Sequence, residues 1–125
     1  MPPRSYIENP SVFLKKLETL LFLPYNNYVA NEIRFIWDEG KRKENIKKRG
    51  FDIAILAPKV FRDPNAEIEP DLRKDYGEDR YLIYGLADDL RLCICFTPRD
   101  DAIWLITIFK LHKKDWEKHY GKKSN

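Results

Sequence analysis

The sequence predicts an α+β fold, with a small and mostly antiparallel sheet and helices packed against one face of it. Three apolar segments, residues 81–87, 91–97 and 102–111, are joined by short turn-like links, which predicts an antiparallel three-strand meander. Two helical segments, residues 39–49 and 52–61, lie between an earlier strand and this meander. With 125 residues, the chain is long enough for a single hydrophobic core.

The first predicted strand, residues 33–37, runs directly into a strongly basic helix. Asp38 stands where it can cap the N-terminus of this helix, and Gly50 stands where the helix should end. Ile46 is the only large aliphatic residue within residues 39–49. Most of the helix surface is therefore expected to face solvent or a ligand.

The second helix, residues 52–61, has Asp52 as its expected cap, and Pro58 inside it predicts a kink or a split. A polar, proline-containing connection follows, with a short strand near Ile68. The last strand of the meander is apolar on both of its faces, which suits a central position in the sheet. A final C-terminal helix is predicted over residues 112–120.

Residues 1–31 are predicted to form an N-terminal extension with one amphipathic helix, which ends before Pro24. We expect a separate domain, residues 32–125, to hold the sheet. Two interpretations of the extension remain open at this point. It is either an accessory helix, which could also form a homodimer, or the result of a translation start that lies nearer Val29.

Positive and negative charges are segregated along the chain, although the net charge is only +3. Residues 39–50 and residues 110–123 each carry six basic residues against two acidic ones, whereas residues 63–79 carry seven acidic residues against two basic ones. If the two basic segments meet in space, they form a field that attracts phosphate groups. The alternative is that each segment is only a solvated helix face.

Several kinds of site are not expected. Cys93 and Cys95 are two residues apart in a predicted strand and point to the same face, so we expect buried, reduced thiols in a cytoplasmic protein. No apolar run approaches the roughly 20 residues that span a membrane. There is no glycine-rich phosphate loop, metal-ligand cluster or nucleophile elbow, and we therefore predict no metal and no cofactor.

Short motifs follow one another in a fixed order along residues 32–120. They are Trp37–Asp38 with Lys41, Asn45, Lys48, Arg49 and Gly50; Val60–Phe61 followed by Asp63–Pro64; Asp79–Arg80 before a strand ending in Gly85; Arg91 to Cys93; and Thr97 with Arg99. In order and spacing, these residues resemble the BrnT family, the ribonuclease toxins of bacterial type II toxin–antitoxin systems. The resemblance covers most of the chain.

The resemblance implies a RelE-like fold and metal-independent cleavage of RNA, in which the ribose 2′-OH attacks the adjacent phosphate. Fixed Arg and Lys side chains would stabilise the charge that builds on the phosphoryl oxygens. On this basis we assign catalytic roles to Lys48, Arg49, Arg80, Arg99 and Lys110, and RNA-binding roles to Lys41, Asn45, Lys47, Tyr84 and His112. The implied partners are RNA and a cognate antitoxin, a BrnA-like ribbon-helix-helix protein through which the complex would bind DNA. No membrane contact is expected.

The chain departs from the family at two positions, which keeps a second function open. The family usually has His where this chain has Arg49, and a basic residue where it has Phe109. His is the usual proton shuttle near neutral pH. The alternative is therefore a catalytically impaired module that binds RNA or an antitoxin-like partner without cleaving, unless His112 replaces the family's His.

Structural interpretations of the assigned residues also stay open. Lys48 and Arg49 lie at a helix C-terminus, where positive charge stabilises the helix dipole. Arg80 and Arg99 could pair with the acidic connection between the second helix and the meander. Trp104 is expected in the core, because its strand is apolar on both faces.

Overall fold

The computed structural model describes residues 34–99 and 102–121, and the predicted extension over residues 1–31 lies outside them. The elements in chain order are β1 (Arg34–Trp37), α1 (Glu39–Arg49), α2 (Ile53–Phe61), β2 (Glu67–Pro70), β3 (Tyr81–Ala87), β4 (Leu90–Arg99), β5 (Ala102–Lys110) and α3 (Lys113–Glu117). The first strand, the two helices after it, the short strand near Ile68 and the meander are confirmed. The C-terminal helix is shorter than predicted, because residues 118–120 form turns.

The five strands form one mixed sheet in the order β1–β5–β4–β3–β2. Strands β2 to β5 pair antiparallel, and β3, β4 and β5 form the predicted meander. β1 pairs with β5 in parallel, from Arg34 opposite Ala102 to Trp37 opposite Leu105. The α+β fold with a mostly antiparallel sheet is confirmed. β5 lies inside the sheet with a neighbour on each side, as its two apolar faces predicted.

A side-chain cap at the N-terminus and a left-handed glycine at the C-terminus define the two ends of the basic helix α1. Asp38 Oδ1 accepts a hydrogen bond from the Lys41 backbone N–H at 3.0 Å, as the capping prediction required. Gly50 has a φ of 75°, and its N–H donates to the Ile46 carbonyl at 2.9 Å. Only glycine takes this left-handed conformation without strain, so the helix ends there.

The helix α2 continues through Pro58 as a single element, and Asp52 caps it by accepting from the Ala54 N–H at 3.1 Å. The same Asp52 carboxylate receives two bonds from the Arg42 guanidinium, at 2.8 and 2.9 Å. This fork ties α1 to α2. The tie matters because α1 has no buried residue of its own, whereas α2 has five.

Helices cover both faces of the sheet, so the expectation that they pack against one face is wrong. α2 packs on the first face, over a cluster that includes Ile83 and Ile94. α3 packs on the second face, where Trp116 joins a cluster that includes Leu82 and Cys93. Strand residues alternate between faces, and both sets are apolar in β3 and β4. Each face therefore needs its own cover.

One irregularity interrupts the pairing of β4 with β5. Cys95 lies opposite Thr107 and Phe96 lies opposite Leu105, so Ile106 is an extra residue in β5. This is a β-bulge, a feature that re-aims side chains and often occurs next to binding sites. Ile106 packs against the second-face cluster, whereas its neighbour Leu105 belongs to the first.

Candidate active site

A cleft of about 290 Å³ opens near the start of α1 and the hairpin between β4 and β5. Its wall combines positive charge, two carboxylates, an aromatic ring and two aliphatic residues: Lys41, Arg80, Arg99, Asp38, Glu78, Trp104, Leu105 and Ile106. Its volume lies just below the range of about 300–1,000 Å³ that small-ligand sites occupy. The cleft therefore suits a small group, such as one nucleotide of a longer chain.

One largely buried carboxylate holds two arginines in this cleft. Glu78, whose side chain is 7% exposed, accepts from Arg80 Nε at 3.0 Å and from Arg99 Nη2 at 3.3 Å. The Arg80 guanidinium lies over the Tyr76 ring at 4.2 Å, and the Arg99 guanidinium lies over the Trp104 ring at 4.7 Å. We call these five side chains, Tyr76–Arg80–Glu78–Arg99–Trp104, the arginine row. Charge-assisted bonds and ring contacts keep both guanidinium groups in defined positions.

Both arginines of the row keep hydrogen-bond donors that Glu78 does not use. Arg80 directs Nε and Nη2 at Glu78, and Arg99 directs only Nη2. A guanidinium has further N–H groups in a planar fork, which matches the oxygens of a phosphate. The two side chains are 23% and 19% exposed, so these donors can reach a ligand in the cleft.

The first turn of α1 also lines the cleft, through Lys41 and the cap residue Asp38. The parallel pairing of β1 with β5 is what places this turn, because Trp37 lies opposite Leu105 and the bulge residue Ile106 follows. The basic helix thus begins beside the arginine row. The cleft contains three cationic side chains and two carboxylates.

Alternation along β4 explains why the row forms on the second face. Thr97 and Arg99 point to the same face as Cys95, and Trp104 lies opposite Thr97 on β5. The Thr97 hydroxyl also donates to the Asp79 carbonyl, which fastens the segment before β3 to β4. Glu78 and Arg80 lie on either side of Asp79, and Glu78 binds both Arg80 and Arg99.

A sequence model of one family, described as the ribonuclease toxin BrnT of type II toxin–antitoxin systems, matches residues 37–115. The match covers more than half of the chain and includes every residue that lines the cleft. The chain belongs to the BrnT family. No curated protein and no solved structure matches it. Membership in this family of ribonuclease toxins implies RNA as the substrate class and an antitoxin as the partner.

Three of the residues assigned from the BrnT resemblance, Lys41, Arg80 and Arg99, meet at the cleft. Lys41 was assigned to RNA binding, and the two arginines were assigned to catalysis. Asn45 lies one helical turn beyond Lys41 on α1 and is half-buried. The cleft therefore unites residues that are far apart in the BrnT motifs.

The other basic residues assigned on α1 lie in its last turn: Lys47, Lys48 and Arg49. Lys48 Nζ pairs with Glu44 at 2.5 Å, four residues earlier on the helix. Arg49 Nη1 donates to the Ile108 carbonyl at 3.3 Å, which lies on β5 past the end of its pairing with β1. Arg49 therefore binds a strand edge, and its side chain is not among those that line the cleft.

The remaining three assigned residues, Lys110, His112 and Tyr84, are also absent from the cleft lining. Lys110 ends β5, and the exposed His112 stands at the N-cap of α3 without a side-chain cap bond. Tyr84 is only 5% exposed; its hydroxyl donates to Glu69 at 2.9 Å and its ring stacks on His119 at 4.3 Å. Burial raises the pKa of Tyr84 well above its ordinary value, so the phenol stays neutral. The functional roles assigned to these residues stay predictions.

Two thiols share the second face with α3. Cys93 and Cys95 are buried and form no disulfide, as predicted. Burial raises the pKa of Cys93 to about 12 and that of Cys95 to about 11. Both are therefore protonated and poorly nucleophilic at neutral pH, and they serve the packing of the core.

Within residues 34–99 and 102–121, no group of three or more His, Cys, Asp or Glu side chains is placed to hold a metal ion. Over the same ranges, none of the helices is long and apolar enough to span a membrane.

Pairing of Arg80 and Arg99 with the acidic connection, one of the interpretations kept open, is confirmed through Glu78. Neither Glu78 itself nor Trp104 was predicted from the sequence to line the cleft. Glu78 lies in a strongly acidic segment, where a single carboxylate does not stand out. A usable signal was its spacing, because Glu78 and Arg80 are two apart in extended chain and point to the same side. Trp104 was expected in the core, and no sequence signal marks the bulge beside it.

Proposed function

We propose that the chain is a cytoplasmic endoribonuclease that cleaves RNA in the cleft without a metal ion, by attack of a ribose 2′-OH on the adjacent phosphate. The arginine row carries this proposal. It fixes two guanidinium groups on one carboxylate, beside Lys41. Phosphoryl transfer needs fixed positive charge where negative charge develops, and the chain belongs to a family of ribonucleases.

The arginines act on the phosphoryl oxygens. Negative charge builds on these oxygens as the 2′-oxygen bonds to phosphorus and the bond to the 5′-oxygen breaks. Arg80 and Arg99 donate their remaining N–H groups to them, and Lys41 adds a third positive charge. Because Glu78 already positions both guanidinium groups, little reorganisation is needed during the reaction. The products are a 2′,3′-cyclic phosphate and a free 5′-OH.

Asp38 is the side chain of the cleft that is best placed to accept the 2′-OH proton. Its Oδ1 receives the cap bond from Lys41, and its Oδ2 has no hydrogen bond within the described residues. Both oxygens of Glu78 are occupied by arginines, so Glu78 positions the arginines instead. The Lys41 ammonium can give a proton to the leaving 5′-oxygen. The two proton transfers then need no histidine.

Cleavage of a single-stranded RNA in the presence of EDTA tests this proposal. Arg80→Gln and Arg99→Gln should each lower kcat by about 100-fold or more, the usual cost of losing one donor to a developing oxyanion. Asp38→Asn should also abolish most cleavage. Because Asn caps helices as well as Asp, this variant should keep the stability of the native chain.

A matched arginine supplies the control. Arg91 lies at the other end of β4, about 26 Å from Arg99 at the usual rise of a strand, and donates to the Leu111 carbonyl at 3.2 Å. Arg91→Gln should keep kcat within about twofold, because it removes the same charge far from the cleft. The proposal is contradicted if Arg91→Gln lowers kcat as much as Arg80→Gln or Arg99→Gln does. It is also contradicted if the chain cleaves an RNA with blocked 2′-OH groups, or if cleavage strictly needs added metal.

We further propose that a BrnA-like ribbon-helix-helix antitoxin covers the cleft and carries the complex to promoter DNA. The positive charge of the cleft favours an acidic segment of the partner. Induced expression of the chain alone should stop bacterial growth, and co-expression of the product of the adjacent reading frame should restore it. The chain alone should show no specific binding to promoter DNA. A partner that binds tightly but leaves RNA cleavage unchanged contradicts the covering of the cleft.

The second candidate function is a module that binds RNA or an antitoxin-like partner without cleaving. Arg49 favours it, because this residue replaces the family's His and is bonded to the edge of β5. The module predicts saturable binding of RNA, no cyclic phosphate ends at any protein concentration, and harmless expression. The cleavage assay with EDTA separates the two functions.

A further inference from the structure

Trp104 differs in its surroundings from the other two tryptophans. The Trp37 indole donates to Glu39 at 2.7 Å, and its ring packs against the first-face cluster. Trp116 is 6% exposed and stacks on the Tyr120 ring at 4.2 Å. Trp104 is half-buried, lines the cleft and ends the arginine row. Its ring is therefore the aromatic surface that a ligand in the cleft meets.

We propose that Trp104 is a stacking platform for one unpaired nucleobase of the RNA, next to the phosphate held by the arginine row. This inference rests on the proposed ribonuclease function. Indole rings stack on every base, because each base has a π-face, and such stacking recognises single strands with little sequence preference. Tyr84 was assigned to RNA binding, but its ring is buried and stacked on His119.

The contacts of Arg99 place the platform beside the phosphate site. One guanidinium lies 4.7 Å over the Trp104 ring and 3.3 Å from Glu78. The Arg99 guanidinium is thus both a phosphate donor and the direct neighbour of the aromatic ring. A nucleotide joins a phosphate to a base through one ribose, so both parts can be bound in one cleft. Stacked cation, ring and base also reinforce one another.

Stacking on Trp104 requires an unpaired base. A base inside a duplex is stacked and paired, and it cannot lie on Trp104 without leaving the helix. The chain should therefore cleave loops and single strands in preference to duplex RNA. The preference comes from Trp104 and not from the arginines, which contact only the backbone.

Two non-cleavable oligomers of equal length test the platform. One carries 2′-O-methyl ribose with bases, and the other is the same backbone without bases. For the native chain, the oligomer with bases should bind roughly 10-fold more tightly, within the range that stacking of one base gives. Trp104→Leu should lose this difference and keep its affinity for the abasic oligomer. Trp104→Phe should keep most of the difference.

Tryptophan fluorescence gives a second readout that does not depend on a stable Leu variant. Binding of the oligomer with bases should quench the native emission, and the abasic oligomer should not. The quenching should be lost in Trp104→Phe. It should persist in the control Trp37→Phe, whose ring contacts the first-face cluster.

The outcomes separate this inference from the proposed function. Suppose that the native chain cleaves RNA but Trp104→Leu lowers the affinity for both oligomers equally. Trp104 then only supports Arg99, so the inference is overturned while the ribonuclease function stands. Quenching that persists in Trp104→Phe also overturns it. If the native chain neither binds nor cleaves RNA, the proposed function fails first, and the inference fails with it.

Discussion

Replacing Glu78 with Gln perturbs the arginine row at its centre. Gln has nearly the same shape as Glu, but it carries no charge and has only one acceptor oxygen. In the native chain, Oε2 accepts from Arg80 at 3.0 Å and Oε1 accepts from Arg99 at 3.3 Å. One of the two guanidinium groups must therefore face the Gln amide NH₂, which is a donor, and loses its partner.

We expect Glu78→Gln to lower the free energy of unfolding by about 2 kcal/mol. A hydrogen bond to a charged group contributes about 1.5–3 kcal/mol; one is lost, and those that remain lose their ionic character. The arginine side chains are 23% and 19% exposed, so water replaces part of the loss. For a domain of this size the change corresponds to a fall in Tm of about 6–10 °C.

The same variant should slow RNA cleavage while RNA binding is kept. The cleft loses a negative charge, so affinity for the phosphate backbone stays equal or rises. The guanidinium groups lose their fixed positions, so kcat should fall at least about 10-fold. Urea unfolding and single-turnover cleavage measure the two effects. The control is Glu44→Gln, which breaks an exposed pair with Lys48 and should cost less than about 0.5 kcal/mol.

The reasoning is refuted if Glu78→Gln leaves both the free energy of unfolding and kcat unchanged. It is also refuted if Glu44→Gln costs as much as Glu78→Gln. Either result would mean that the row does not depend on its central carboxylate.

Three further predictions concern the scaffold. Gly50→Ala should lower the free energy of unfolding in urea by about 1–2 kcal/mol, because φ is 75° at this position. The cost is conformational and not steric, since an added methyl group would meet no atom within 4 Å. An unchanged urea midpoint would contradict the left-handed cap. The Arg73 guanidinium lowers the pKa of Asp71 from 3.8 to about 2, so the ionised carboxylate stabilises the fold above about pH 4 and this contribution is lost as the pH falls towards 2. Since the Arg73 side chain is 55% exposed, the free-energy difference between the native chain and Asp71→Asn should be about 1–2 kcal/mol at pH 6. It should fall as the pH approaches 2 and vanish only below that pH; a difference that does not change with pH would rule out the ion pair. Cys93 and Cys95 should not react with a thiol reagent at pH 7.5 in the folded chain and should both react in urea, since burial raises their pKa values to about 12 and 11; rapid labelling of the folded chain would show that the second face is open.

Features set by neighbouring residues could be predicted from the sequence. Asp38 and Gly50 bound α1 as predicted, because a cap and a left-handed glycine act within one helical turn. The meander was also predicted, because short links leave consecutive strands few ways to pair. Arg80 and Arg99 were assigned together, from motifs of a known family, and the structure brings them to one carboxylate.

Features that depend on distant pairing could not be predicted. Nothing in residues 34–37 shows that this strand pairs in parallel with β5, and it is this pairing that sets Lys41 beside the arginines. The side of the sheet on which Trp116 packs depends on the path of the chain after β5. Trp104 was expected in the core because apolar residues in a strand look alike whether they face a helix or a cleft. Glu78 was hidden by the other acids of its segment.

The bulge at Ile106 adds a residue to the wall of the cleft that the pairing of β5 with β4 does not require. Leu105 and Thr107 already lie opposite Phe96 and Cys95, which are adjacent on β4. Deletion of Ile106 would therefore give a regular hydrogen-bond ladder between β4 and β5. All remaining residues of β5 would keep their partners on β4. The sheet would survive this deletion, and the cleft would lose part of its wall. The shape of the cleft can therefore change by a single codon while the strand order and pairing of the sheet persist.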